Sequence, residues 1–284
     1  MSRSAAPFAT VLAAGLIAAG AATPAQAWPF GRRDQAEAPA AEAAAAPAAQ
    51  GTERRRATAA ERAQAARLDP LARAVFWGRE VEVAPQDVEA HLGMARTLRE
   101  LRRFEEAVQS AQTVLIIDPA NTEAMLELGR AHIDRGQAFY AIAPLEQARG
   151  LQPDDWRIVS TLGVAYEQVS RFEEARAAWT AALALSPENP AVLTNLALSH
   201  AAAGDATQAE ALLRRAVAQP GATIQMRQNL ALVLGLQGRI AEAEQIIRRD
   251  LPPELAERNL EWLRRASADT AARPRTWDSL RAGS

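Results

Sequence analysis

From Leu71 onward, apolar residues recur at i, i+3, i+4 and i+7, the spacing of a helix face, and in most segments they do so on two faces at once. A helix with two apolar faces lies between neighbours. The same slots return every 34 residues. Met94, Leu128, Leu162, Leu196 and Leu230 form one ladder, and Leu145, Trp179, Leu213 and Ile247 another. Two ladders of small residues keep the same period: Ala95, Gly129, Gly163, Ala197 and Ala231, and Ala107, Ala141, Ala175, Ala209 and Ala243. Fixed self-similarity at this period predicts an all-α solenoid of helix-turn-helix pairs. The small residues, at the eighth and twentieth positions of each repeat, are expected to meet where the two helices of a pair cross. A larger side chain there would overpack the crossing by about 1–3 kcal/mol.

The breaks in the pattern divide the chain. Pro119, Pro153, Pro187 and Pro220 end successive second helices, because proline disfavours helical geometry in the residue before it. Gly136, Gly204 and Gly238 fall at the turn inside each pair, where a left-handed residue ends the first helix; Arg102 and Ser170 occupy the same slot less comfortably. Full repeats are predicted over 88–252, about five in all. A partial repeat over 69–87 precedes them, with Leu71, Val75 and Phe76 as the stripe of its second helix. A capping helix over 253–270 follows, where Leu255, Leu260 and Leu263 cover the last repeat, and 271–284 reads as a flexible tail with Trp277 and Leu280 as an isolated apolar pair.

The amino terminus is different in kind. Arg3, an apolar run from Phe8 to Ala22 and the pattern Ala25-Gln26-Ala27 predict a secretory signal peptide over 1–27, cleaved after Ala27. The alternative is an uncleaved anchor. Residues 28–68, rich in Ala and Pro, are assigned to a flexible tether, whose stretch from Gly31 to about Thr58 has almost none of the branched aliphatic and aromatic side chains needed to offset ordering. Its last stretch, TAAERAQAARL, has the makings of a degenerate first helix.

Composition removes most chemistry. The chain has no cysteine, which excludes disulfides, zinc-thiolate sites and thiol catalysis. All 32 basic residues are Arg and the net charge is -2, with the cations scattered among carboxylates, so nucleic acid is not an expected partner. No Gly-rich phosphate loop, Gly-x-Ser-x-Gly elbow or His-Glu-x-x-His helix occurs. His91, His132 and His200 occupy slots where aromatics pack within a repeat. Neither an enzyme activity, a metal, a cofactor nor a small-molecule substrate is expected, and membrane contact is expected only indirectly.

What remains is a binding surface. The second, fifth, ninth and twelfth positions of first helices line the inner face of such an array. They pass from an Arg-bearing end (Arg96, Arg99, Arg130, Arg157) to an apolar and small-residue end with Leu198, Gln228 and Leu232. A protein segment lying there would offer acidic groups to the guanidiniums and apolar groups to the leucines. Against this stands the bland alternative that the same Arg residues pair with Glu89, Glu123 and Glu127. Asn195 and Asn229, on successive first helices, suit a structural hydrogen bond between repeats.

Gly129, Gly163, Ala141, Ala175 and Pro153, with the period of 34, resemble the tetratricopeptide repeat pattern from Val88 to about Pro252. Beyond the generic repeat, the stretches AVFWGREVEVAP, LQPDDWRIVSTLGVAYEQ, RQNLALVLGLQGRIAEAEQIIRRDLPPELAERN and TWDSL resemble the TadD family of the tight adherence (Flp) pilus assembly system. That resemblance implies a periplasmic scaffold whose partners are pilus and secretion machinery components, helping the secretin or the pilus machine to assemble. Many members of that family are lipoproteins. This chain departs from them in lacking a lipobox cysteine, so a soluble periplasmic adaptor, in this or another secretion or cell-wall complex, is the reading that fits.

Overall fold

The structure, a computed structural model, describes residues 55–272. The segment read as a signal peptide over 1–27, the part of the expected tether up to residue 54 and the pair Trp277 and Leu280 lie outside the described residues. Thirteen α-helices, with no strand among the described residues, follow one another in antiparallel pairs. They are α1 (Ala59–Ala65), α2 (Pro70–Val83), α3 (Val88–Glu100), α4 (Phe104–Ile117), α5 (Thr122–Asp134), α6 (Phe139–Leu151) and α7 (Trp156–Gln168). Then come α8 (Phe172–Leu185), α9 (Pro190–Ala202), α10 (Ala206–Val217), α11 (Ile224–Leu236), α12 (Ile240–Asp250) and α13 (Pro253–Ala272). Each pair packs on the next, giving the predicted solenoid with a final helix at its end.

The sequence sets each helix start and stop locally. Asp87, Asn121, Asp155, Asn189 and Thr223 are the N-caps of α3, α5, α7, α9 and α11, and each side chain accepts a hydrogen bond from a backbone N–H of the first turn. These caps repeat at the same period as the core. At the turn inside each pair from α3 to α12 the chain enters the left-handed region: φ is 77° at Gly136, 91° at Gly204 and 81° at Gly238, but also 61° at Arg102 and 64° at Ser170. The next residue's N–H then bonds the carbonyl five residues back, as in Arg103 to Leu98 (2.8 Å) and Arg171 to Tyr166 (2.8 Å), the closure of a Schellman motif.

The core runs along the array in two apolar clusters, a small one around Leu98 and Leu128 and a long one from Met125 to Leu263, with Leu115 packed against both. Leu145, Trp179, Leu213 and Ile247 are all buried, as are Leu128, Leu162 and Leu196. The small-residue ladders are also buried, with Ala107, Ala141, Ala175, Ala197, Ala209, Ala231 and Ala243 at 0–1 % exposure. Their expected contact has a further participant. A Cβ on Gly129 would fall 2.7 Å from Leu145, and one on Gly163 2.6 Å from Trp179, so the eighth position seats the large side chain at the twenty-fourth position of its own repeat before it meets the twentieth.

The amino-terminal end departs further from expectation. Leu71 and Val75 are 65 % and 70 % exposed, and the buried face of α2 is Ala74, Trp77 and Glu80 instead. The tether also ends earlier than residue 68: Thr58 and Glu61 form a capping box that starts α1, and Arg62 and Ala65 of α1 are buried. Thus the partial repeat has the first helix that the stretch TAAERAQAARL suggested. At the other end Ala256, Leu260 and Leu263 of α13 are buried and Leu255 half-buried, covering the last pair.

Candidate partner-binding groove

The first helices α3, α5, α7, α9 and α11 lie side by side, so their inner positions share one surface. Its amino-terminal end is an ionic lattice centred on Glu127, whose side chain is only 2 % exposed. Three guanidiniums reach it: Arg130 at 2.9 Å, Arg99 at 3.3 Å and Arg96 at 3.5 Å. Arg96 also pairs with Glu123 at 2.7 Å, and Arg99 with Asp134 at 3.1 Å. Arg157 bridges Asp155, at 2.6 Å, and Glu123 of the preceding first helix. Burial works against the charge of Arg99, but Glu127 and Asp134 outweigh it and raise its pKa. The Arg157 guanidinium in turn holds the Asp155 carboxyl below the usual range.

The four predicted groove cations are therefore brought together, but each is already paired with carboxylates of the array. Glu123 and Glu127 take the part that the bland alternative gave them, whereas Glu89 pairs with Arg62 elsewhere. The sequence reading missed Asp134 and Asp155 as partners. A guanidinium carries five N–H donors, so pairing with one or two oxygens still leaves capacity for a partner's carboxylate or carbonyl.

Toward the carboxyl-terminal end the surface turns apolar. Val164 and Leu198 are half-buried, between Ser160 and Thr194, which are nearly covered. Glu167 lies at the margin of this patch, accepting from the Ser199 hydroxyl at 3.2 Å, and burial pushes its carboxyl up. Gln228 and Leu232 do not belong to the open surface: they are 2 % and 4 % exposed. The same helix, α11, is covered by α13, where Leu263 lies against Gly235. The capping helix thus closes the groove one helix earlier than the sequence pattern implied. Neither amide atom of Gln228 has a hydrogen-bond partner.

The histidines are structural in placement. His91 is buried with Nε2 at 2.9 Å from the Pro85 carbonyl, and His132 stacks at 5.8 Å on Tyr140. His200 sits 3.6 Å from Asp205. Asn229 accepts from Gln225 one turn earlier on its own helix, not from a neighbouring repeat. Among the described residues no cluster of His, Asp or Glu is placed to hold a metal ion, and no helix is long and apolar enough to cross a membrane.

The decisive comparison is with a family model: the tetratricopeptide repeat model matches residues 92–155 and again 160–223. The array is a tetratricopeptide-repeat solenoid. Solved structures of such proteins share its fold. The thermophilic tetratricopeptide-repeat protein TTC0263 of Thermus thermophilus aligns with a TM-score of 0.55 at 22 % identity, over 62 % of this chain and 96 % of its own. A tetratricopeptide-repeat protein of Parabacteroides merdae gives 0.59 at 14 % identity, over 72 % of this chain and 80 % of its own. MamA of Desulfovibrio magneticus RS-1 gives 0.50 at 21 % identity, over 56 % and 90 %. No curated protein matches the chain in sequence. Repeats of this kind form protein-interaction scaffolds.

Proposed function

We propose that this chain is an exported protein–protein interaction scaffold of a tight-adherence (Flp) pilus assembly system, holding a segment of the secretin or another machine component on its concave face. The observation that carries the groove reading is the change of character along one surface, from the Arg96–Arg99–Arg130–Arg157 lattice around Glu127 to the apolar patch at Val164 and Leu198. An extended segment with carboxylates at one end and apolar side chains at the other matches that order. The pilus assignment rests on the sequence resemblance to the TadD family. Export rests on the amino-terminal signal pattern, with cleavage after Ala27 placing the chain in the periplasm. A general adaptor of another secretion or cell-wall complex is the second reading, supported by the missing lipobox cysteine.

Pull-down of the mature protein from envelope extracts tests the assignment. Recovery of the secretin or another pilus component is the expected result. Failure to recover any, with pili intact after gene deletion, discards it. The groove is tested separately with the triple variant R96A/R99A/R130A, which should weaken partner binding at least tenfold; unchanged affinity would move the site elsewhere.

A further inference from the structure

The first helix is attached in an unusual way. The backbone of α1 scarcely approaches any other helix, and its one buried apolar side chain is Ala65. What holds it is polar: Arg56 just before it pairs with Asp87, the Ala57 N–H donates to Glu80 at 3.0 Å, and one guanidinium of the helix itself is buried. Arg62, 6 % exposed, donates through Nη2 to Glu80 at 2.7 Å and to Asp87, and through Nη1 to Glu89 at 2.6 Å and more distantly to Asp87 at 3.4 Å. Its carbon centre lies 5.9 Å from the ring of Trp77, itself buried.

The receiving groups are built independently of α1. Glu80 and Trp77 project from α2, and Trp77 is wedged against Gly93 of α3. The carboxylate of Asp87 is fixed by capping α3, with the N–H groups of Glu89 and Ala90 donating to it at 3.0 Å and 3.2 Å. Burial works to raise the Asp87 carboxyl, but hydrogen bonds from Arg62, Ala90 N–H and Arg56 outweigh it and hold it well below the usual carboxylate range. Three carboxylates and an indole therefore converge on one cation. Two further features show spare capacity. Buried Nε of Arg62 has no hydrogen-bond partner, so the fit of this guanidinium is incomplete. An open hollow lined by Arg56, Pro85, Gln86, Asp87 and Glu89 adjoins the cluster, and the Glu89 side chain, 64 % exposed, stands on its rim.

We infer that Trp77, Glu80, Asp87 and Glu89 form a guanidinium-binding site that Arg62 fills from within the chain, and that α1 is a displaceable arm which an arginine-bearing segment of a partner protein replaces. The planar fork of a guanidinium bonds several carboxylates at once while its face lies over an aromatic ring, which a lysine ammonium does not reproduce. Because apolar packing contributes so little to α1, exchange of one guanidinium for another costs the array almost none of its core. This site lies at the α2–α3 turn, apart from the Glu127 lattice, and does not depend on the groove reading.

The test uses the full chain and, as probe, a labelled peptide with the sequence of Arg55 to Leu68. Variant R62A, with its site vacant, should bind the peptide at least tenfold more tightly than the wild type, and hydrogen exchange in R62A should rise over residues 57–66 while the repeats keep their protection. A peptide with Ala in place of Arg62 should not bind, and one with Lys there should bind at least fivefold more weakly. Adding E80Q to R62A should abolish binding. Should R62A lose the helical signal of the repeats, the wild type serves instead: excess peptide should raise exchange over 57–66 and nowhere else. Equal binding to wild type and R62A, binding that ignores E80Q, or exchange over 57–66 unchanged by both R62A and excess peptide would overturn the inference.

Discussion

The indole N–H of Trp179 donates to the Ser160 carbonyl at 3.1 Å while the ring covers Gly163, where an added Cβ would stand 2.6 Å from Nε1. One backbone thus receives both the face and the polar edge of a side chain from the second helix of the same repeat. Gly163→Ala should overpack this seat by about 1–3 kcal/mol, offset by about 1 kcal/mol of helix propensity. A net loss of up to about 2 kcal/mol is expected in urea denaturation. Gly150, near the end of α6 with nothing within 4 Å of a Cβ, is the control. Gly150→Ala should stabilise by about 0.5–1 kcal/mol.

Arg102 and Ser170 hold the left-handed turn that glycine holds in the second, fourth and fifth repeats. A side chain there costs about 1–2 kcal/mol of conformational strain, of which glycine's greater unfolded entropy returns about half. Ser170→Gly is therefore expected to stabilise the array by about 0.5–1 kcal/mol, read as a shift of the urea midpoint. Arg102→Gly should gain less, because Arg102 also lies 5.9 Å from the ring of Phe104.

His132 adds a pH dependence. Burial, and then the nearby Arg135, push its imidazole below the ordinary value, while Gln137 opposes them. The folded chain therefore binds this proton less readily than the unfolded chain, and stability rises with pH between the folded-state value and about 6.5. As pH falls through that window the contribution is lost. His132→Phe, which keeps an aromatic against Tyr140, should flatten the pH slope of the thermal midpoint below about pH 6.5. An identical slope in both proteins would count against it.

The repeat ladder made the fold legible because the core of a solenoid is a local matter: each pair buries its apolar faces on its neighbours, so period and spacing alone place Leu145, Trp179 and Ile247 inside. The caps Asp87, Asn121, Asp155, Asn189 and Thr223 were equally periodic in the sequence and went unread, since Asp, Asn and Thr look alike only once their shared role is known. Ends of the array were harder. Leu71 and Val75 obey the helical spacing but stay exposed, on the wall of an open hollow that they share with His91, Met94 and Leu98. Gln228 and Leu232 were assigned to an open groove by position, and the extra helix α13 buries them. Which carboxylate each arginine chooses is set by side-chain reach across repeats, which spacing along the chain does not encode.

Glu127 should separate stability from binding. Its nearly buried carboxylate draws Arg96, Arg99 and Arg130 together. Those cations are themselves 28–46 % exposed; Arg96 and Arg99 keep other partners in Glu123 and Asp134, and Arg130 keeps access to water, so losing Glu127 does not strand them as a fully buried pair would. Breaking a wholly buried pair costs about 3–5 kcal/mol, and exposed pairs are worth under about 1 kcal/mol. Glu127→Gln, which keeps shape and one acceptor, is expected to fall between, at about 1–2 kcal/mol in urea denaturation. The same change leaves three guanidiniums less neutralised on the concave face, so an acidic peptide should bind more tightly, by about tenfold if one charge-assisted bond is gained. Added salt should erase the gain, since the new attraction is solvent-exposed and screened. Stability and affinity moving in opposite directions is the signature of a groove that trades internal ion pairs for a partner's carboxylate. If both fall together in E127Q, Glu127 is only part of the scaffold and the acidic end of the partner binds elsewhere.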